Sequence, residues 1–370
     1  MTSDERTREL VSLEPVLRAR ADALRAELTE LLAREPQLKI HSVTARVKSA
    51  ASLTGKLSRP DRTYESLWDV TDLVGLRVIT YFEDDVDRVG RLVEAHWPVD
   101  FANSTDKRKR EQSSAFGYSS LHYVCALGGA PSSLPVTARC EIQVRTLLEH
   151  AWAEIEHDLG YKAEAQMPSH VERRLVRLAG LLELADQEFA RIRDDLQSYA
   201  RALPKRIAED SAAVALDRLS FTQLLDMNET RAIDLRIARA MGKELGTEPF
   251  FPEYLLRMLT LAGVRTVGEA RAGLLRHEEA IVSMVAPYFA FAWASFQLST
   301  EAMPRAPRGY SLFFLAHANV LFAESLGVSK AERLARLYRE LDYPDDEKKA
   351  QAVASQLVRA FNDAGGKPPA

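Results

Sequence analysis

Apolar residues recur with two different periods in this 370-residue chain, and the two periods are segregated along it. Within the first 203 residues short β-rich runs alternate with helical spacings, whereas beyond Leu203-Pro204-Lys205 helical periodicity prevails and period-two runs almost vanish. A strand sends alternate side chains to opposite faces, while a helix gathers residues three and four apart on one face, so neither pattern can stand in for the other. Leu10, Leu13, Leu17, Leu24, Leu28, Leu31 and Leu32 follow helical spacing, which predicts an amphipathic helix over 8–34 that stops before Pro36. The text from 39 to 64 is polar and punctuated. The run 73–82 (LVGLRVITYF) predicts a buried strand, and 84–96 a helix with Val86, Val89, Leu92 and Val93 on one side. Residues 119–127 and 136–144 predict two more strands, followed by helix from 145 nearly to 203. Strands alternating with helices make residues 1–203 an α/β or α+β domain.

Residues 204–370 are predicted to form a second, all-α domain. Helical stretches fall at about 214–245, 253–262, 267–300, 310–326, 329–341 and 345–363, with breaks at Pro249, Pro252, Gly263, Pro304, Pro307 and Pro344. The length suits two domains, and 46% hydrophobic with 28% charged residues excludes a collagen-like or largely disordered chain. With 49 Lys and Arg against 53 Asp and Glu, the net charge is −4, so any polyanion site must be local. Two cysteines, Cys125 and Cys140, make no disulfide framework and no Cys-x-x-Cys pair. No run of eighteen uncharged apolar residues occurs and the N-terminus has no apolar signal segment, which predicts a soluble cytoplasmic protein with no membrane partner.

Three clusters in the first half carry chemistry. Arg46, Lys48, Ser49 and Lys56 put three cations and a hydroxyl within eleven residues on a stretch that opens into a helix. Such a group suits a triphosphate, although a solvated basic surface looks the same in sequence. Asp72 stands at the mouth of the apolar run that holds Gly75 and Arg77, where it is either a turn residue or a functional acid. In the third cluster, strand parity puts Tyr118, Ser120 and His122 on one face and Leu121, Tyr123 and Cys125 on the other. The same parity groups Glu141, Gln143 and Arg145 against Cys140, Ile142 and Val144, so both cysteines read as core thiols. An acid on each of two strands with cations upstream meets the needs of metal-assisted phosphoryl transfer, and a cross-strand or surface ion pair between Glu141 and Arg145 is the competing reading.

The segments Arg46-Val-Lys-Ser, Asp72-Leu-Val-Gly-Leu-Arg77, Gly117-Tyr-Ser-Ser-Leu-His122 and EIQVRTLLEHAWAEIEHDLGYK (141–162) stand in one order and spacing. In this the chain resembles the RelA/SpoT synthetase domain, and most of all its small alarmone synthetase branch, over about residues 8–203. The resemblance implies an α+β fold with a nucleotidyltransferase-like mixed sheet flanked by helices. It also implies Mg²⁺-dependent transfer of the β,γ-pyrophosphate of ATP to the ribose 3′-hydroxyl of GDP or GTP, in the manner of a GTP diphosphokinase. Carried over by position, it implies that Arg46 and Arg77 sandwich adenine while Lys48, Ser49 and Lys56 grip the ATP phosphates. Asp72 would ligate Mg²⁺. Glu141 would orient or deprotonate the acceptor hydroxyl and share the metal, and Tyr118 would stack on the acceptor base. His122, Gln143 and Arg145 would complete the acceptor and phosphate contacts. Glu156, His157, Tyr161 and Lys162 match the same family helix as residues that brace the site.

One departure bears on the acceptor. The family usually carries a lysine four residues before the tyrosine of the acceptor motif, and here that position is Ser114, with Lys107, Arg108, Lys109 and Arg110 set further back. A toxic branch of the family that modifies the 3′ end of tRNA lacks the same lysine. The sequence therefore leaves three readings: a (p)ppGpp synthetase, a tRNA-pyrophosphorylating toxin restrained by its own C-terminal domain, and a non-catalytic nucleotide sensor, which the retention of Asp72 and Glu141 disfavours. A homo-oligomer and a regulatory partner of the C-terminal domain stay open. Arg308-Gly309-Tyr310-Ser311-Leu312 echoes the acceptor motif but lacks its histidine and begins a helical stretch, which points to coincidence.

Overall fold

Three of the predicted strands pair with two that the sequence concealed to form a five-stranded mixed sheet. The computed structural model describes residues 3–58, 63–106, 120–127, 134–162, 168–296, 303–323, 327–341 and 347–363, apart from the side chains at 3, 160–162, 295–296 and 347–348. Two compact units divide between Asp195 and Leu196. In the first, the elements run α1 (Ser3–Ala33), β1 (Ile40–Val47), α2 (Ala50–Leu57), β2 (Val74–Thr80), α3 (Glu83–His96), β3 (Thr105–Asp106), β4 (Leu121–Ala126), β5 (Arg139–Thr146), α4 (Leu147–Lys162) and α5 (Ser169–Asp210). The strand order is β1-β2-β5-β4-β3; β2 and β5 are parallel, and the other neighbours are antiparallel.

Register makes one face apolar and the other polar. Leu76 lies opposite Ile142 and Ile142 opposite Tyr123, with Val74, Val78, Cys125, Cys140 and Val144 on the same side. Leu10, Leu17, Leu24, Leu28 and Leu32 of α1 join these residues in one core, as do Val86, Val89 and Val93 of α3. The predicted leucine stripe is therefore the one that is buried, with Leu13 and Leu31 at its margin. Cys125 and Cys140 face each other across β4 and β5 as free, buried thiols, and burial pushes both up to about 12. Core placement, and not reactivity, explains them.

Strand β1 falls in text read as polar and punctuated. Its sequence, IHSVTARV, exposes His41, Thr44 and Arg46 while Val43, Ala45 and Val47 pack on the core, so its apolar members are too small and too interrupted to announce a strand. Strand β5 also runs two residues into text read as helix, through Arg145 and Thr146. Thr146 then begins α4 by a reciprocal cap: its amide donates to Glu149 Oε2 at 2.7 Å and the Glu149 amide donates to its Oγ1 at 3.1 Å.

In the second unit the elements after α5 are α6 (Arg218–Asp226), α7 (Asn228–Ala240), β6 (Leu245–Pro249), α8 (Pro252–Leu261), α9 (Val267–Ser283), α10 (Val285–Phe296), β7 (Ala306–Arg308), α11 (Tyr310–Phe322), α12 (Lys330–Glu340) and α13 (Glu347–Asp363). The helical expectation stands, with one addition: β6 and β7 form a short parallel pair. The stretch 214–245 breaks into α6 and α7 at Met227, and 267–300 breaks at Met284. The division expected at Pro204 falls inside α5, whose Leu203 and Ile207 belong to the second core. Gly309, at φ 92°, precedes the buried helix α11, and the Asp234 carboxylate accepts from the amides of Gly309 (2.7 Å) and Ser311 (2.8 Å). The repeated Gly-Tyr-Ser-Leu text is thus a helix start.

Candidate functional site

The polar face of the sheet carries the chemistry. Arg46 lies opposite Gly75 and Gly75 opposite Glu141; one step along, Thr44, Arg77, Gln143 and His122 form a second cross-sheet row. A Cβ at Gly75 would sit 3.5 Å from Arg46 Cγ and Nε, so the bare glycine leaves the Arg46 stem lying across β2. Beyond the end of β1, Lys48 reaches Asp72 Oδ2 at 2.7 Å, and Lys56 of α2 reaches Oδ1 of the same carboxylate at 2.8 Å. Ser49 accepts from the Ser52 amide at 3.2 Å and caps α2, which aims the Lys56-bearing helix at the sheet. These elements, with α4, enclose a cavity of about 790 Å³. Among the described residues its wall sets five cations (Arg46, Lys48, Lys56, Arg77 and Arg145) against two carboxylates, Asp72 and Glu154.

A second constellation adjoins it on β4 and β5. Glu141 accepts from Gln143 Nε2 at 2.8 Å and pairs with His122 Nδ1 at 2.9 Å, while His122 Nε2 lies 2.6 Å from Ser120 Oγ. An ionised carboxylate only accepts, so Nδ1 carries the proton, and in the neutral imidazole Nε2 then accepts from the Ser120 hydroxyl. Both oxygens of Glu141 are thereby held in place.

Burial works to raise the Asp72 carboxyl, but the hydrogen bonds and charges of Lys48 and Lys56 outweigh it and hold the group below its ordinary range. Glu141 behaves alike: burial raises it, His122 and Gln143 overcome that, and the nearby Asp72 charge opposes them. Arg145 is pulled down to about 10, by burial first and then by Arg77, against the opposing pull of Glu154 and Glu149. Its buried Nε has no partner among the described residues, and its Nη2 makes only a long 3.4 Å contact with Gln143. A buried, under-satisfied guanidinium beside two other arginines is a place for an anion.

The two depressed carboxyls give a pH prediction. Their pairing is complete above the unfolded carboxylate value of about 4 and is lost as pH falls through the lower folded values. Stability is therefore expected to fall on acidification through that window, with the Asp72→Asn variant losing less than the parent. Denaturant midpoints followed by circular dichroism at a series of pH values check this, and identical acid slopes for the two proteins would contradict the pairing.

The cavity brings together Arg46, Lys48, Lys56, Asp72, Arg77, Gln143 and Arg145 of the residues singled out from sequence. Ser49 acts as a helix cap outside the lining, and Glu141 and His122 stand beside it. Tyr118 and the basic run Lys107 to Arg110 lie outside the described residues, as do the side chains of Tyr161 and Lys162. Sequence reasoning missed Thr44, Ser52, Ala153 and Glu154, whereas His157, read as a residue that braces the site, does line it. Ala153, Glu154 and His157 line the cavity, and Glu154 accepts from Arg77 Nη1 at 2.9 Å. Glu149 and Trp152 instead point into protein, and Glu156 is exposed. A signal existed in the helical spacing of His150, Ala153, Glu154 and His157.

A sheet that gathers cations around a paired carboxylate, next to a second oriented carboxylate, has the charge arrangement that phosphoryl transfer between polyphosphates calls for. The family model described as "Region found in RelA / SpoT proteins" matches residues 45–166, the segment that carries this site. GTP pyrophosphokinase YjbM of Bacillus subtilis is 31% identical over 167 residues, which span 45% of this chain and 78% of that protein. GTP pyrophosphokinase YwaC of the same organism is 26% identical over 160 residues, 42% of this chain and 75% of that protein. Among solved structures, small alarmone synthetase 1 from Bacillus subtilis aligns with a TM-score of 0.43 and 30% identity, covering 50% of this chain and 96% of that one. The chain belongs to the RelA/SpoT family and is an enzyme of its pyrophosphokinase class. No helix among the described residues is long and apolar enough to cross a membrane.

Proposed function

We propose that this protein transfers the β,γ-pyrophosphate of ATP to the ribose 3′-hydroxyl of GDP or GTP, yielding a (p)ppGpp-type alarmone and AMP. The observation that carries the reading is the Asp72 carboxylate clamped between Lys48 and Lys56 in a cation-rich cavity. In the free enzyme each charge neutralises the other; a triphosphate takes the lysines as partners and frees the carboxylate.

The Asp72 and Glu141 carboxylates lie near enough for the charge of one to act on the other, a donor set that suits Mg²⁺, an ion held by one or two carboxylates together with substrate phosphates. Asp72, joined by Glu141 from its side of the cavity, would hold it, and when bound it neutralises charge on the phosphates. Lys48 and Lys56 grip the phosphates, Arg46 and Arg77 flank the adenine, and Arg145 receives a phosphate at its unpartnered guanidinium edge. Glu141, fixed by His122 and Gln143, accepts the 3′-hydroxyl proton as the oxygen attacks the β-phosphorus; the bond from that phosphorus to the α,β-bridging oxygen breaks, and AMP leaves. Tyr118 stacks on the acceptor base. Every described residue lining the cavity lies between Thr44 and His157, which supports placing catalysis in residues 1–203 and leaving 204–370 for control or partner binding.

A tRNA 3′ end is the second reading for the acceptor, favoured by Ser114 in place of the family's lysine. Incubation with γ-labelled ATP beside GDP, GTP, adenine nucleotides and bulk tRNA decides between them by where the label appears. Label on no acceptor would overturn the proposed activity. Replacing Lys107, Arg108, Lys109 and Arg110 by Ala gives an independent check. With a mononucleotide acceptor, activity and its salt dependence should change little, whereas tRNA presents many phosphates and the salt slope should flatten by about one unit per lost contact.

A further inference from the structure

The aromatic helix α10 borders an open space. Tyr288, Phe289, Phe291 and Ala292 form one wall of a cavity of about 480 Å³ in the second unit, faced by residues of α8, α11, α12 and α13. The cavity is open at the exposed Phe251, and its volume falls in the range of small-molecule pockets. Among the described residues no Asp, Glu, Lys, Arg or His lines it. Behind it His317 is fully buried and pulled down to about 4 by burial; its Nδ1 bonds the Phe313 carbonyl at 2.9 Å and its Nε2 the Tyr338 hydroxyl at 2.9 Å. The described part of the wall is therefore uncharged at neutral pH, and the Tyr338 proton is committed to His317.

Two further observations point to an occupant. Tyr310 is 3% exposed, and the one hydrogen-bond partner of its hydroxyl among the described residues is the Met303 sulfur at 3.8 Å, a weak acceptor. A buried phenol satisfied only by a thioether has a donor to offer. At the surface of the same cavity, Phe251 is 69% exposed and held at φ 31°, the single positive φ among the described non-glycine residues. Backbone strain of that kind gathers at ligand-binding sites. The rings pair edge-on or tilted, with Phe250 4.9 Å from Tyr310 and Tyr288 5.1 Å from Phe313, the geometry in which aromatic groups attract one another.

We propose that this cavity binds an uncharged, ring-bearing small molecule through aromatic contacts with Phe250, Tyr288 and Phe313 and a hydrogen bond from Tyr310 to a carbonyl oxygen of the ligand. The site is separate from the pyrophosphokinase cavity, so the proposal stands or falls independently of the transfer reaction.

The test uses the full chain and two neutral fluorescent probes, 6-propionyl-2-(dimethylamino)naphthalene, which has a carbonyl, and N-phenyl-1-naphthylamine, which has none. Saturable binding of one probe molecule per chain with blue-shifted emission is expected. Ala292→Trp, which fills the cavity, should weaken both probes by at least about tenfold, the loss of a buried ring-sized contact. Tyr310→Phe, which removes one oxygen, should weaken the carbonyl probe about three- to tenfold and leave the other unchanged. Should Ala292→Trp fail to fold, the Tyr310→Phe comparison still decides. Non-saturable partitioning into the parent protein, or equal effects of Tyr310→Phe on the two probes, would overturn the proposal.

Discussion

Asp72→Asn is expected to cut pyrophosphate transfer by at least about a thousandfold, because the variant keeps the shape of the side chain and removes the charge that would hold the metal. ATP binding should survive within about tenfold, since Lys48 and Lys56 remain and no longer have a protein carboxylate to leave. The free enzyme should suffer more than a surface substitution would cause. Asp72 is 16% exposed and bonds two ammonium groups at 2.7 and 2.8 Å, so its loss sets those two cations against each other in a half-buried site. A destabilisation of about 1–3 kcal/mol follows from the two unmade charged hydrogen bonds. Labelled-ATP turnover, calorimetric ATP binding and denaturant melting measure the three quantities separately. Turnover near that of the parent protein would remove Asp72 from the catalytic centre, and a lost ATP site would show that the carboxylate shapes the pocket instead.

Glu141→Gln is expected to lower turnover by about a hundred- to ten-thousandfold with little change in the ATP dependence, as an amide cannot take the hydroxyl proton. His122→Ala tests the same group through its partner. Without the imidazole, Glu141 keeps Gln143 but loses its strongest opposing influence to burial, so its pKa should rise. A base must be deprotonated to act, and the acidic limb of the rate profile should accordingly move to higher pH in His122→Ala. Turnover measured from pH 5 to 9 for parent and variant shows the shift directly. A lower rate with an unmoved acidic limb would mean that His122 contacts the acceptor without tuning Glu141.

The α1 leucine stripe, the buried run at 73–82 and the opposed faces of β4 and β5 were legible in the sequence, because periods of 3.6 and two are properties of neighbouring residues and survive without any knowledge of the fold. The motif order at 46–49, 72–77, 117–122 and 141–162 was equally legible and led to the family. Tertiary structure alone decided which strands pair. It placed β1, whose IHSVTARV text is half polar, beside β2 with Arg46 opposite Gly75, and so brought that arginine onto the face of Glu141. It set Asp72 between a lysine beyond β1 and another on α2, a contact spanning 24 and 16 residues that no local spacing encodes. The docking of α4 chose Glu154 and His157 for the cavity over Glu149 and Trp152, although both pairs share helical spacing. In the second unit, periodicity revealed a helix over the text that holds Tyr288, Phe289 and Phe291, but whether those rings met packed core or an aromatic-walled space depended on how separate segments of the chain meet. Local chemistry fixes which face of an element avoids water; only the assembled chain fixes what that face meets.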